Sequence, residues 1–357
     1  MRASLKLCQL LLLAQAVAAG GCRSRELRAA EGTHEERLPP PEAWTDTSPN
    51  LSEDAELKDL RVNYLDWGGS GPPLVLVHGF GDNPHIFDEL GPRLRERFHV
   101  MAFARRGHGD SDAPPRGPYD VRALASDLRR FLDALRIDRA NLLGWGVAAN
   151  EITRFATLAP ERVDKLIYLE GGYDWSDAKF LAALGRLLAS TVPATSDTRS
   201  LDAYRAWYED MWLGHAAWTP GMEAYLRGAI RIGNDGRVVP RMSRDTARRL
   251  FEGLQGAPRD YERVDAPVLA LYAATFFPTD QSDPERARLT RQFENEVASP
   301  FRSTSMDRVQ RELRNVTVRQ LAGTTHVSIG VRDVEGLATT ITNFLLPTEE
   351  PADAASE

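Results

Sequence analysis

The chain has little cysteine, no excess of basic residues and no apolar run long enough to cross a membrane. Its two cysteines among 357 residues, Cys8 and Cys22, both stand near the N-terminus. This placement excludes a disulfide framework or a cysteine-rich metal site from the folded body. Lys and Arg number 44 against 51 Asp and Glu, for a net charge of −7. A mildly acidic chain without a basic block is a poor candidate for binding nucleic acid.

The first 21 residues have the pattern of an export signal. Two basic residues precede an apolar run over 7–19, which is shorter than the about 20 residues that a membrane-spanning helix needs. The segment ends in Ala19-Gly20-Gly21-Cys22, which resembles the lipobox of bacterial lipoproteins. That resemblance implies acylation of Cys22 and a protein that is exported and held at the membrane of the cell envelope by a lipid anchor. A plain signal peptide, cut after Ala18 or nearby, is the alternative.

Residues 22–56 are predicted to form a flexible tether. From 23 to 56 the chain holds 13 charged residues and four prolines, but only eight apolar residues among 34. So polar a stretch buries too little apolar surface to offset the conformational entropy that folding would cost. The acidic tail at 347–357 is expected to be frayed for the same reason.

Between these two segments, apolar runs alternate with stretches at helical spacing. The run at 74–77 ends at His78 and is typical of a buried parallel strand. Similar runs lie at 100–103, 141–144, 165–169, 268–272 and 316–321. Strands that alternate with helices predict an α/β fold with a doubly wound, mostly parallel sheet, whose ligands bind beyond the C-terminal strand ends.

Four motifs resemble those of α/β-hydrolases. They are His78-Gly79-Phe80-Gly81, the run 106–111, the strand–turn–helix around Gly144, and Gly323-Thr324-Thr325-His326. They occur in the family's order, in a core assigned to 57–173 and 264–346. The resemblance implies a catalytic histidine at His326 and an oxyanion hole formed by backbone amides at Phe80 or Gly81 and at Val147.

The expected nucleophile is missing. In the family, the motif Gly-x-Ser-x-Gly places a serine on a sharp turn between a strand and a helix. This sequence has Gly144-Trp145-Gly146-Val147-Ala148, so Gly146 stands where the serine would be. Glycine has no side-chain atom that can attack, although it tolerates the positive φ of that turn. We therefore expect the turn to be kept without its nucleophile.

Three carboxylates are candidates for the partner that orients His326. Many family members carry this acid after the next-to-last strand, where this chain has no carboxylate before Asp280. Glu170 instead follows the strand at 165–169 directly, an arrangement similar to that of haloalkane dehalogenases. We predict Glu170 as the partner, with Asp174 and Asp280 as alternatives.

Residues 174–263 are too many for a simple crossover between two strands, and they predict a helical lid. Apolar residues recur there at helical spacing in four stretches. Four of the seven tryptophans also lie in this segment. We expect Trp175 and Trp207, together with Trp145, to line an apolar pocket. The remaining histidines lack metal-ligand spacing, so no metal and no other cofactor is predicted.

Three functions are compatible with these residues. The first is a pseudo-hydrolase that lacks its nucleophile and binds a small apolar ligand or a partner. The second is a weak hydrolase of an ester, lactone or similar substrate, in which His326, held by Glu170, activates a water. The third is a purely structural protein of the cell envelope.

Overall fold

The computed structural model describes residues 44–346, except 215–217 and 255–258. The predicted signal peptide, the predicted lipidation site Cys22 and the acidic tail at 347–357 lie outside the described residues. No helix within the described ranges is long and apolar enough to cross a membrane.

Eight of the ten described strands form one central sheet. The strands are β1 Leu51–Glu56, β2 Arg61–Gly68, β3 Pro73–Val77, β4 His99–Phe103, β5 Ala140–Trp145, β6 Val163–Leu169, β7 Ile230–Ile232, β8 Val238–Pro240, β9 Val268–Thr275 and β10 Val316–Thr325. Their order in the sheet is β1-β2-β4-β3-β5-β6-β9-β10, and β7 and β8 form a separate hairpin. The pairs β1–β2 and β2–β4 are antiparallel, and every other neighbouring pair in the sheet is parallel.

Helices flank this sheet. Among the described residues the α-helices are α1 Gly91–Leu94, α2 Val121–Ala134, α3 Ala148–Leu158, α4 Ala178–Thr191, α5 Leu201–Tyr208, α6 Pro220–Ala229, α7 Arg244–Leu254, α8 Pro284–Phe293, α9 Ser299–Glu312 and α10 Val334–Leu345. Helix α2 begins where the Asp120 side chain accepts hydrogen bonds from two backbone amides, and it buries its apolar stripe. Phe131 of that stripe stacks on Phe103 of β4 at 5.2 Å.

The central strands are the apolar runs of the sequence. All six residues of β5 and four of the five in β3 are buried, as parallel strands covered on both faces require. The predicted α/β fold with a mostly parallel sheet is confirmed.

Strand β1 shows that the folded body begins earlier than predicted. The sequence assigned residues 22–56 to a tether, but Leu51–Glu56 pairs with β2 along its whole length, from Leu51 opposite Asp66 to Glu56 opposite Arg61. Five of its six side chains are exposed. Backbone hydrogen bonds at the edge of the sheet hold this strand, so it needs no apolar side chains. Its polar sequence therefore gave no pattern from which a strand could be predicted.

Helices α4 to α7 occupy the chain between β6 and β9. They coincide with the four helical stretches that the sequence placed within 174–263. The hairpin β7–β8 also lies there and was not predicted, because strands of three residues leave no periodic signal. We call residues 178–254 the inserted segment.

Candidate functional site

The sharp turn between β5 and α3 carries Gly146. Its φ is +59°, in the left-handed region that glycine adopts without a steric cost. The Gly146 amide donates to the Leu169 carbonyl at 2.9 Å, and the Ala149 amide donates to the Gly146 carbonyl at 3.2 Å. A Cβ at Gly144 would lie 2.8 Å from backbone atoms of Ala148, so this position also requires glycine. The predicted turn is present, and its central residue has no side chain.

His326 follows β10 and lies opposite that turn. A Cβ built on Gly146 would lie 3.6 Å from both Nε2 and Cε1 of His326. The indole nitrogen of Trp145 donates to the His326 carbonyl at 3.2 Å. The Phe276 ring stacks on the imidazole at 5.4 Å, with an angle of 5° between the ring planes. Trp145 and Phe276 therefore position His326 so that its Nε2 edge faces residue 146.

Glu170 holds the other edge of the imidazole. Its side chain is fully buried, and its Oε2 lies 2.8 Å from His326 Nδ1. Its Oε1 accepts hydrogen bonds from the Ala273 amide and, at 3.1 Å, from the Tyr173 hydroxyl. Glu170 has a φ of 50°, which is uncommon for a residue other than glycine. A carboxylate at Nδ1 fixes the tautomer that leaves Nε2 as a proton acceptor.

The alternative carboxylates have other surroundings. Asp174 accepts hydrogen bonds from Arg259 and Arg308. Burial opposes ionisation of Asp174, but the hydrogen bonds from Ser176 and Arg259 hold its pKa below the usual value. Asp280 lies beside Gly214, with its Oδ1 3.8 Å from a Cβ built on that glycine. The structure thus brings Glu170 to His326.

The predicted oxyanion donors need one correction. The Gly81 amide donates to His108 Nε2 at 3.2 Å, so it is already engaged. Burial lowers the pKa of His108 to about 3, which keeps this ring neutral and able to accept. Phe80 and Val147 line the cavity beside Gly146. Among the described residues, the amides of Phe80 and Val147 donate no hydrogen bond, so these two amides stay the predicted oxyanion donors.

A cavity of about 170 Å³ lies over these groups. Of the 25 described residues that line it, eleven are Phe, Tyr or Trp, and the predicted Trp145, Trp175 and Trp207 are among them. The inserted segment contributes much of this lining, including Tyr208 and Tyr225. The cavity is therefore mostly apolar, with the His326 imidazole in its wall.

The cavity contains a second polar group, Asp82, which was not predicted from the sequence. Its Oδ1 accepts a hydrogen bond from the Tyr225 hydroxyl at 2.8 Å, and the Tyr208 hydroxyl donates to that of Tyr225 at 3.3 Å. Burial raises the pKa of Asp82, although the hydrogen bond from Tyr225 and the charge of His326 act in the opposite direction. Asp82 and Tyr225 are 143 positions apart, so only the fold pairs them.

A buried ion pair supports the loop after β3. Arg105 Nε lies 2.8 Å from Glu151 Oε2, and both side chains are only 1% exposed. The Arg105 guanidinium also donates to the Gly79 carbonyl at 3.3 Å, and the Arg105 amide donates to His78 Nε2 at 3.1 Å. Because Glu151 lies on α3, this pair joins the loop to the helix that follows Gly146.

Comparison with known proteins matches this architecture. Residues 72–292 match the family model described as the alpha/beta hydrolase fold. The human serine hydrolase-like protein is 38% identical over 106 residues, which cover 29% of this chain and 52% of that protein. A fluoroacetate dehalogenase of Burkholderia sp is 36% identical over 119 residues, which cover 32% of this chain and 39% of the dehalogenase. The chain thus spans about half the length of the serine hydrolase-like protein and about two fifths of the length of the dehalogenase.

A solved structure extends the match over the body of the molecule. The crystal structure of E-2-(acetamidomethylene)succinate hydrolase superposes with a TM-score of 0.62 at 22% identity. The superposition covers 83% of this chain and 99% of the hydrolase chain. Because the family model covers more than half of the residues and the fold agrees with it, this chain belongs to the α/β-hydrolase fold family.

Proposed function

We propose that this α/β-hydrolase-fold protein lacks a nucleophile and binds a small apolar molecule in its cavity without a covalent bond. One observation carries the proposal. A Cβ built on Gly146 would lie 3.6 Å from His326 Nε2, but Gly146 has no side chain. His326, held by Glu170, therefore faces a position that would hold the nucleophilic oxygen if residue 146 were a serine.

No nearby hydroxyl replaces the absent serine. Among the cavity-lining residues that the structure describes, hydroxyl groups belong only to tyrosines. Thr153 is hydrogen-bonded to Tyr168 and to the Ala149 carbonyl, and Ser111 donates to the Ala104 carbonyl. An enclosed, mostly apolar cavity with few polar groups is typical of a small-molecule site. In this proposal the inserted segment acts as its lid.

The hydrogen bond between His326 and Glu170 favours a second function, weak hydrolysis. His326 Nε2 would take a proton from a water held beside Gly146, and the resulting hydroxide would add to an ester carbonyl carbon. The amides of Phe80 and Val147 would bind the oxyanion, and the imidazolium would return the proton to the leaving alcohol. Without covalent catalysis, the expected rate is roughly 10³-fold above that in water.

Titration with three small esters tests the binding function. Phenyl, cyclohexyl and butyl acetate are added while tryptophan fluorescence is followed, because Trp145, Trp175 and Trp207 line the cavity. We expect saturable binding, weakened about tenfold or more by Ala229→Phe, which fills the cavity with a ring. The control Ala134→Phe adds the same ring at an exposed position of α2 and should bind like wild type.

The same samples separate the competing functions. Release of phenol from phenyl acetate that is faster in wild type than in His326→Ala would establish the water-mediated hydrolase in place of the pure binding protein. No saturable response to any of the three esters would contradict binding and favour a structural role.

We also propose that Cys22 carries the lipid anchor of the protein. The support is the short apolar run that ends in small residues before Cys22. Fatty-acid labelling in cells should mark wild type and Cys8→Ala, whose substituted residue lies in the removed signal, but not Cys22→Ala. Equal label in wild type and Cys22→Ala would contradict the anchor.

A further inference from the structure

Asp82 forms a polar corner in the mostly apolar cavity. Tyr225 donates to Asp82 Oδ1, and Tyr208 in turn donates to Tyr225, so the carboxylate is held in one orientation. A carboxylate has about four acceptor sites. The hydrogen bonds from the Tyr225 hydroxyl and from the backbone of Gly79 therefore leave capacity for an N–H or O–H group of a bound molecule.

The negative charge of Asp82 is not balanced by a cation of its own among the described residues. The groups that can carry a positive charge and whose fields reach it are His326 and Arg105. Arg105 is paired with Glu151 at 2.8 Å, and His326 is paired with Glu170 at 2.8 Å. Asp82 makes no ion pair within the described ranges, and no Lys or Arg belongs to the described lining of the cavity. Burying a carboxylate without a cation is costly, so a bound cation would stabilise this site.

The walls beside Asp82 are aromatic. The Tyr208 ring lies 5.9 Å from that of Tyr225 and 6.4 Å from that of Trp212, and all three residues line the cavity. Aromatic faces attract ammonium groups because the ring quadrupole is negative above and below the plane. The residues that hold Asp82 in place thus also supply surfaces that favour a cation.

We propose that the ligand of the cavity is a small apolar amine, whose ammonium group binds Asp82 and the neighbouring rings while its hydrocarbon part fills the apolar remainder. This proposal rests on the proposed function, since it names the chemical class of molecule that the same cavity binds.

Three molecules of one shape and different charge test the proposal. They are cyclohexylmethylamine, cyclohexylmethanol and cyclohexanecarboxylate, titrated by calorimetry near neutral pH, where the alkylamine is protonated. In wild type we expect the amine to bind about tenfold or more tightly than the alcohol, and the carboxylate to bind most weakly. This comparison needs no variant, so it does not depend on how a substitution affects folding.

Two variants that each lose one carboxylate test whether Asp82 causes the preference for the amine. Asp82→Asn keeps the shape of the side chain but removes its charge, and it should bring the amine and alcohol affinities within about threefold of each other. Asp59→Asn removes an exposed carboxylate on the surface, 74% exposed, and should keep the wild-type preference for the amine.

The outcomes separate this inference from the proposed function. Wild type that binds the alcohol as tightly as the amine, or Asp82→Asn that keeps the full preference for the amine, would overturn the amine proposal while leaving an apolar binding cavity. Failure of all three molecules and of the three esters to bind would overturn the proposed function itself.

Discussion

Replacing Gly146 by serine is expected to create an esterase that hydrolyses phenyl acetate on the order of 10²-fold faster than wild type. A Cβ at residue 146 would lie 3.6 Å from His326 Nε2 and Cε1, and apart from its neighbours in the chain it would meet no other described residue within 4 Å. A serine hydroxyl would thus have room and a proton acceptor, with Glu170 already holding the far side of the ring. The measurement is the steady-state release of phenol.

The new serine must adopt the backbone of the present glycine. With a φ of +59° at residue 146, the substitution is expected to cost on the order of 1–3 kcal/mol of stability. Trp145 does not stand in the way of the hydroxyl, because its indole packs against Gly330 and donates to the His326 carbonyl. We therefore expect Gly146→Ser to fold with a lowered unfolding midpoint.

Three variants in the Gly146→Ser background assign the roles. His326→Ala should abolish the new activity, and Glu170→Gln should lower it strongly because the imidazole loses its carboxylate. Asp174→Asn removes a carboxylate that binds Arg259 and Arg308, so it should leave most of the activity. A folded Gly146→Ser protein without activity, or one equally active without His326, would contradict the proposed geometry.

The largest loss of stability is expected for Arg105→Met. The substitution leaves Glu151, whose side chain is 1% exposed, buried without its cation. Breaking such a pair costs roughly 3–5 kcal/mol, which denaturant unfolding followed by circular dichroism would measure. Burial raises the pKa of Glu151 while Arg105 lowers it, so removing Arg105 raises that pKa further. The loss should therefore be full at high pH and shrink as Glu151 takes up a proton at low pH.

An exposed ion pair provides the matched control. Arg130 pairs with Asp59 at 3.1 Å, and these side chains are 37% and 74% exposed. Arg130→Met should cost less than about 1 kcal/mol. The double variant Arg105→Met/Glu151→Gln should regain part of the lost stability. An equal, small effect of Arg105→Met and Arg130→Met would show that the buried pair does not support the loop after β3.

The sequence predicted the central sheet because parallel strands covered on both faces are continuous apolar runs, as β3 and β5 show. It did not predict β1, whose exposed polar side chains carry no such pattern. Backbone hydrogen bonds hold an antiparallel edge strand. Because these bonds do not depend on the side chains, the strand leaves no signal in the sequence.

Some residues of the site could also be predicted from the sequence, and others could not. His326 and Gly146 were predicted from short motifs, and Glu170 from its position at a strand end. The Gly81 amide was assigned as an oxyanion donor, but the His108 ring, 27 positions later, accepts its hydrogen bond. Asp82 could not be recognised from the sequence either, because its partner Tyr225 is contributed by the inserted segment.

Mass spectrometry after treatment with a fluorophosphonate tests whether the groups that orient a nucleophile surround Gly146 while the nucleophile itself is absent. Wild type should keep its mass, and Gly146→Ser should gain one phosphonyl group on the peptide that contains residue 146. Stoichiometric labelling of wild type at any serine, threonine or tyrosine would show that the protein does have a nucleophile.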